Sequence, residues 1–279
     1  MLIVRKFLRD IPAVLGLFIV SAAVIIAFFG DPLLVDGAQA TQPNIRARLL
    51  PPSWEHPFGT DNLGRDIYTR VVMGTSGALT VALVVVGAAM LIGIPLGLYA
   101  GYTDGVGSES VMRVTDIFLA VPQLILAIAL AQIIGRGMDA AMFALAITYW
   151  PFFTRTVYGE TRRVRTLLFV EALEGLGASR LRILALHVLP NVAAPVIVRA
   201  TIGMGFIILT TAVLGFLGVG AAPPAPDWGL AIAEGRRFMP DHWWMTAFPG
   251  LAILTLVLGF NLLGDGLRDL VDPRLRRSR

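Results

Sequence analysis

Residues able to do covalent or metal chemistry are sparse in this chain of 279 residues, and they never converge. There is no cysteine, so thiol nucleophiles, disulfides and Cys metal sites are excluded. The three histidines, His56, His187 and His242, lie far apart, and none stands in a His-Glu-x-x-His pattern. Each is better read as a structural histidine. Lys6 is the only lysine, so no Gly-x-x-x-x-Gly-Lys-Ser/Thr phosphate loop exists. No Gly-x-Ser-x-Gly elbow is present either. The informative spacings are of another kind. One segment reads Glu171-Ala172-Leu173, then Gly177-Ala178, then Leu189-Pro190. Two others, His56–Asp66 and Asp227-Trp228-Gly229, set carboxylates beside arginines, aromatics and glycines. These patterns point to docking and packing rather than to catalysis.

The elements that carry them are set by hydropathy. The chain is 56% hydrophobic and 15% charged, with a mean hydropathy of +0.74, too apolar for a soluble domain of this size. Six stretches carry no ionisable side chain: 11–30, 71–103, 117–135, 140–154, 200–226 and 243–264. A hydrocarbon core about 30 Å thick needs roughly 20 apolar residues as helix. The stretch 140–154 is short, and Tyr158 with a snorkelling Arg155 extends it to the interface. Continuous runs, rather than alternating ones, predict helices and not a barrel. The expected fold class is an all-α membrane protein with about six transmembrane helices.

The pI near 9.9 does not point to nucleic acid, because most basic residues are arginines flanking the apolar runs. With the N-terminus inside and six spans, sixteen of the 23 Lys and Arg residues fall on the cytoplasmic side and seven outside. That asymmetry predicts both termini in the cytoplasm. Arg5, Lys6 and Arg9 precede the first run, and Ala38-Gln39-Ala40 resembles a signal-peptidase site. The run is longer than a typical signal core, and Asp31, Pro32 and Asp36 intervene, so an uncleaved span is expected.

The chain then divides into an N-terminal arm, first span and external loop (1–74), a membrane core (75–264) and a basic cytoplasmic tail (265–279). Gly93, Pro95 and Gly97 predict a kinked second span packed inside a bundle. The glycines from Gly203 to Gly220 predict close helix approach or a pathway lining. Trp243-Trp244 read as interfacial anchors.

None of the six stretches offers the titratable relay that ion-coupled carriers usually hold at membrane depth. A secondary carrier stays open only because backbone carbonyls can bind sodium. Energy is therefore expected from outside this polypeptide. The loop after the fourth span predicts a helix from Thr166 to Leu176, closed by Gly177 in the left-handed conformation. A second helix is expected to follow Ser179 and stop before Pro190. Ala172, Gly177 and Ala178 would present a shallow face to a partner.

This loop resembles the Glu-Ala-Ala, Gly, Ile-x-Leu-Pro signature of the integral-membrane subunits of ATP-binding-cassette importers. Glu171, Ala172, Gly177, Leu189 and Pro190 match, whereas Leu173 and His187 depart from the usual Ala and Ile. The His56–Asp66 segment is similar to the C-type permeases of dipeptide, oligopeptide and nickel importers. So are Met112-Arg113 with Asp116 and Pro122, His187–Asn191, Gly259–Asp269 and Asp272-Pro273-Arg274.

The resemblance implies a type I importer permease fold, with the Glu171–Pro190 loop as a cytoplasmic coupling element. It implies a multi-pass subunit of a bacterial inner membrane, working with a second permease, two cytoplasmic ATPases and an external substrate-binding protein. ATP and magnesium would sit on the ATPases, and this chain would hold no cofactor or metal and would not itself be an enzyme. Asp61, Arg65, Asp66, Asp227, Trp228 and Gly229 become candidate pore-mouth elements, set against a reading of His56–Asp66 as a turn-rich loop. For Trp228 the alternatives are a lid or an interfacial anchor. Arg236 and Arg237 would face a peptide carboxylate, acidic lipid or solvent. A peptide is the expected cargo, and a nickel chelate is the alternative within the class.

Overall fold

The computed structural model describes Phe7, residues 9–135 and residues 137–271. Expectations that rest on Arg5, Lys6, Arg136 or the tail from Asp272 lie outside those residues. A bilayer supplies no hydrogen-bond partners, so apolar chain must satisfy its own backbone as helix. The helices are α1 (Ile11–Leu34), α2 (Ile67–Tyr102), α3 (Val106–Ala120), α4 (Gln123–Ile134) and α5 (Met138–Arg165). They continue as α6 (Leu168–Gly175), α7 (Arg180–Ile183), α8 (Leu189–Phe216), α9 (Trp228–Gly235) and α10 (Trp244–Val271). Among the described residues there is no strand, only one isolated bridge between Thr60 and Asp66.

All six charge-free stretches fall largely within helices. Ile11–Gly30, Ile67–Tyr102, Arg180–Phe216 and Trp244–Leu270 are long and apolar enough to cross a membrane. The stretch 117–135 is not continuous: α3 and α4 meet at a 90° bend. Pro122 pushes Val121 out of helical geometry, so α3 stops at Ala120 and α4 restarts at Gln123. At 12 residues, α4 alone is only about 18 Å long. The short stretch 140–154 sits inside the 28-residue α5, which runs on past Arg155 and Tyr158.

The centre of the bundle is the contact between α2 and α5. Gly93, Gly97 and Gly101 recur every fourth residue and meet Phe153, Val157 and Thr161 at the same spacing. A Cβ on each glycine would lie 2.6 Å from the Cβ of its partner. Small residues allow this approach, and dispersion between the backbones holds the pair in lipid. Pro95 stays within the uninterrupted α2. On the opposite side α10 packs on α1, with Gly16 against the backbone at Leu263 and Gly259 against Ile19.

Three expectations are corrected. The helix after Ser179 does not stop before Pro190. The turn Leu184–Val188 widens to π geometry, with Leu189 N–H donating to the Leu184 carbonyl, and Pro190 enters in the first turn of α8. A proline has no N–H to give, and the wider turn absorbs the missing bond. Asn191 Nδ2 donates to the His187 carbonyl at 2.7 Å. Second, Trp244 is no interfacial anchor: it is 6% exposed, and its Nε1 donates to the Thr60 carbonyl at 3.2 Å. Trp243 remains half-exposed. Third, the helix that carries the stretch 200–226 begins well before it, at Leu189, and takes in Arg199.

Candidate coupling loop and external ion cluster

The signature loop folds as a knuckle at the end of α5. Thr166 and Leu167 turn the chain, and Val170, fully buried, anchors α6 to the bundle. Leu173 and Ala178 pack on the same core. Glu171, Ala172, Gly175, Leu176 and Gly177 face outward. Gly177 has φ +79, as its type predicted. Its N–H donates to Glu174 O at 3.0 Å and Ala178 N–H donates to Leu173 O at 3.0 Å. That pair of bonds is a Schellman closure, which fixes the direction in which the chain leaves α6. A Cβ at Gly177 would meet nothing within 4 Å, so the glycine answers to backbone conformation and to an outside surface, not to crowding within the chain.

Leu189 and Pro190 do not join this knuckle. They begin α8 beyond the π turn, Leu189 half-buried and Pro190 exposed. The sequence reading missed the leucines instead. Leu168, Leu176 and Leu181 are each about 80% exposed (81%, 83% and 78%) on the knuckle and its neighbour α7. Apolar side chains standing out in an arginine-rich loop were the available signal.

Polar contacts fasten the knuckle to the helices above it. Tyr102 Oη, at the end of α2, donates to Glu174 Oε1. Asp104 accepts from Arg162 Nη1 and Arg165 Nη1, each at 2.7 Å. Hydrogen bonds from Arg165 and then Arg162 hold the Asp104 carboxyl below its ordinary value of 3.8. The Arg165 guanidinium lies 5.8 Å from the Tyr102 ring centroid. Tyr102, Asp104, Arg165, Glu174 and Arg180 line a polar cavity of about 500 Å³.

At the far end of the bundle the other candidate residues come together. Asp61 Oδ1 accepts from the N–H groups of Leu63 (2.8 Å) and Arg65 (3.0 Å), and Arg65 Nε donates to Oδ2 at 2.6 Å. Gly64, φ +77, closes this turn against the Asn44 carbonyl and leaves no room for a Cβ. Arg65 is 1% exposed and reaches Glu234 Oε2 at 2.8 Å. Arg70 lies 3.8 Å from Glu234 and donates to the carbonyls of Ala40, Pro224 and Ala225. Ala40, within the segment that resembles a cleavage site, is fully buried. Asp66 caps α2 through Thr69 N–H at 2.7 Å and meets His56 Nδ1 at 2.8 Å.

Asp227 caps α9 through Leu230 N–H at 2.7 Å, and burial pushes its carboxyl above the ordinary value. Trp228 is 6% exposed, with Nε1 donating to Val71 O at 3.0 Å across Gly74, so it is not an interfacial anchor. Gly229 lies against the Ala212 carbonyl. The turn-rich reading of His56–Asp66 thus accounts for its geometry, and Glu234, 169 residues from Arg65, is the member the sequence concealed. Arg236 stacks on Phe216, its guanidinium carbon 4.8 Å from the ring centroid.

A bundle whose long apolar helices can cross a membrane, with an exposed, glycine-closed knuckle at one end, is the architecture of an integral membrane protein. The chain belongs to the family of binding-protein-dependent transport system inner membrane components, whose pattern matches residues 93–277. Over 259 residues it is 43% identical to the probable D,D-dipeptide transport system permease DdpC of Escherichia coli, covering 91% of this chain and 87% of that protein. It is likewise 43% identical over 264 residues to the dipeptide permease DppC of Alkalihalophilus pseudofirmus, with 95% and 86% covered. The glutathione permease GsiD of Pectobacterium atrosepticum is 40% identical over 272 residues, with 98% and 90% covered. An inward-facing structure of the MetNI methionine ABC transporter superposes with a TM-score of 0.61, covering 72% of this chain and 96% of that chain at 22% identity. That likeness establishes the type I importer permease fold.

Proposed function

We propose that this chain is one of two permease subunits in an ATP-driven importer of di- or oligopeptides. The observation that carries the reading is the identity to two dipeptide permeases along more than nine-tenths of the chain. A homologous permease completes the pathway, two ATPases dock below, and an external binding protein delivers the peptide. The arginine distribution supports placing both termini on the cytoplasmic side. ATP and magnesium belong to the ATPases. Glu171, Ala172, Leu173, Gly177 and Ala178 form the surface that seats in an ATPase groove, with Leu168 and Leu176 as apolar anchors. Leu189 and Pro190 set the angle at which α8 leaves the loop. ATP binding favours one arrangement of the ATPase pair, and the docked knuckle passes that preference to the spans. Asp61, Arg65, Asp66, Asp227, Trp228 and Gly229 brace the outer ends of α2 and α9 at the pore mouth. The native chain has no cysteine, so a single Glu171→Cys permease gives a clean probe. Cross-linking to a cysteine in the ATPase groove, stronger or weaker with ATP, is expected. No cross-link at any groove position would reject the docking role.

A further inference from the structure

Arg199 stands out among the described arginines for a buried donor left without a hydrogen bond. It lies ten residues into α8 and 17 residues before that helix ends at Phe216. At 1.5 Å per residue it is about 25 Å along the helix from Phe216, toward the inner side of a core about 30 Å thick. Its guanidinium carbon sits 5.0 Å from the Phe152 ring centroid and 5.9 Å from that of Tyr149, both on α5. Its Nε is buried and makes no hydrogen bond. Among the described residues it makes no ion pair. Asp116, on α3, is held by Arg155 of α5 at 3.1 Å. Aromatic faces lower the cost of keeping a cation in the membrane but leave its donors free. Ionisable groups at such depth face a bundle interior or a wet cavity, with an anion as partner. Tyr149 is almost fully buried, with its hydroxyl wedged against Gly203 one helical turn from Arg199.

We propose that Arg199 is an oxyanion site in the inner half of the translocation pathway and takes the C-terminal carboxylate of the peptide in transit. The inference rests on the peptide-import reading above. A planar guanidinium offers paired N–H donors that match a carboxylate. A lipid phosphate is the competing source of the same chemistry.

The test uses the complete transporter in proteoliposomes, with its binding protein, and a labelled dipeptide as free acid or C-terminal amide. Arg199→Gln is expected to lower uptake of the acid about tenfold relative to wild type and uptake of the amide less than twofold. Arg199→Lys should keep acid uptake within a few-fold. Equal losses for acid and amide, or no loss for either, would overturn the site. A loss that follows removal of anionic lipid and ignores the peptide terminus would assign the arginine to phosphate and overturn it too. If the wild type refuses the amide, the Lys and Gln variants decide, because equal loss in both contradicts a charge-dependent role. A wild-type complex that carries no peptide would instead reject the cargo reading.

Discussion

Tyr102, the last residue of α2, donates a 2.5 Å hydrogen bond to Glu174 on α6. The two residues lie 72 positions apart, and the bond ties the exposed knuckle to the helix whose glycines lock against α5. The bond therefore links α6 to α2 by a contact separate from the backbone connection through α5. Glu174 is exposed, so the bond contributes on the order of 1 kcal/mol or less to stability. Its value lies in position. Tyr102→Phe is expected to leave the thermal midpoint nearly unchanged and cross-linking to the ATPase intact, while peptide uptake per ATP hydrolysed falls several-fold. An unaltered ratio of uptake to hydrolysis would remove the tether from the coupling path.

Gly177 separates backbone strain from surface fit. At φ +79 any other residue costs roughly 1 kcal/mol, and the chain itself leaves the Cβ unhindered. Gly177→Ala should fold and transport at a reduced rate. Gly177→Leu should fold equally well but lose ATPase association and uptake, because its added bulk meets only the partner. Uptake by the leucine variant at the level of the alanine variant would show that no partner approaches there.

The glycine row of α2 makes the opposite prediction. A side chain at Gly97 would strike Val157 Cβ at 2.6 Å and the Thr154 carbonyl at 2.8 Å. Neither can move without separating α2 from α5, so Gly97→Val should cost several kcal/mol by overpacking. The expected readout is loss of monodisperse protein in detergent, before any question of transport arises. A compensating Val157→Gly should restore part of it.

Asp227 gives a pH dependence. Burial raises its folded-state value, so the native state holds the proton more tightly than the unfolded chain. Its contribution to stability declines as pH rises from the ordinary 3.8 through the raised value, and the penalty is complete above it. Asp227→Asn keeps an oxygen for the Leu230 N–H and removes the buried charge. Its thermal midpoint at neutral pH should equal or exceed wild type, and the difference should shrink toward acid. Asp227→Ala should lose about 1 kcal/mol with the cap. A midpoint for Asp227→Asn as low as that for Asp227→Ala would show that the charge itself stabilises α9.

What could be read in advance divides by range. Helices follow from charge-free runs and Gly177 from a local rule, so the bundle and the knuckle were legible. The break at Val121-Pro122 lies inside a charge-free run that hydropathy treats as continuous, although proline geometry encodes it locally. The passage of α8 through Pro190 was misjudged because a π turn depends on tertiary support. Partners such as Arg65 with Glu234, Tyr102 with Glu174 and Trp244 with Thr60 are set by helix packing, and no sequence spacing encodes them. The charge-free stretch opens at residue 200, whereas α8 begins at Leu189 and takes in Arg199, because a helix boundary need not follow the loss of charge.

The central claim is that work enters this subunit from an ATP-hydrolysing neighbour through the α6 knuckle. The most direct measurement is accumulation of a labelled dipeptide in proteoliposomes that hold the permease pair and binding protein, with and without the ATPases. Concentration above the external level is predicted only when ATPases and ATP are both present. Uphill accumulation by the permeases alone, or accumulation driven by an ion gradient and abolished by an ionophore, would contradict it.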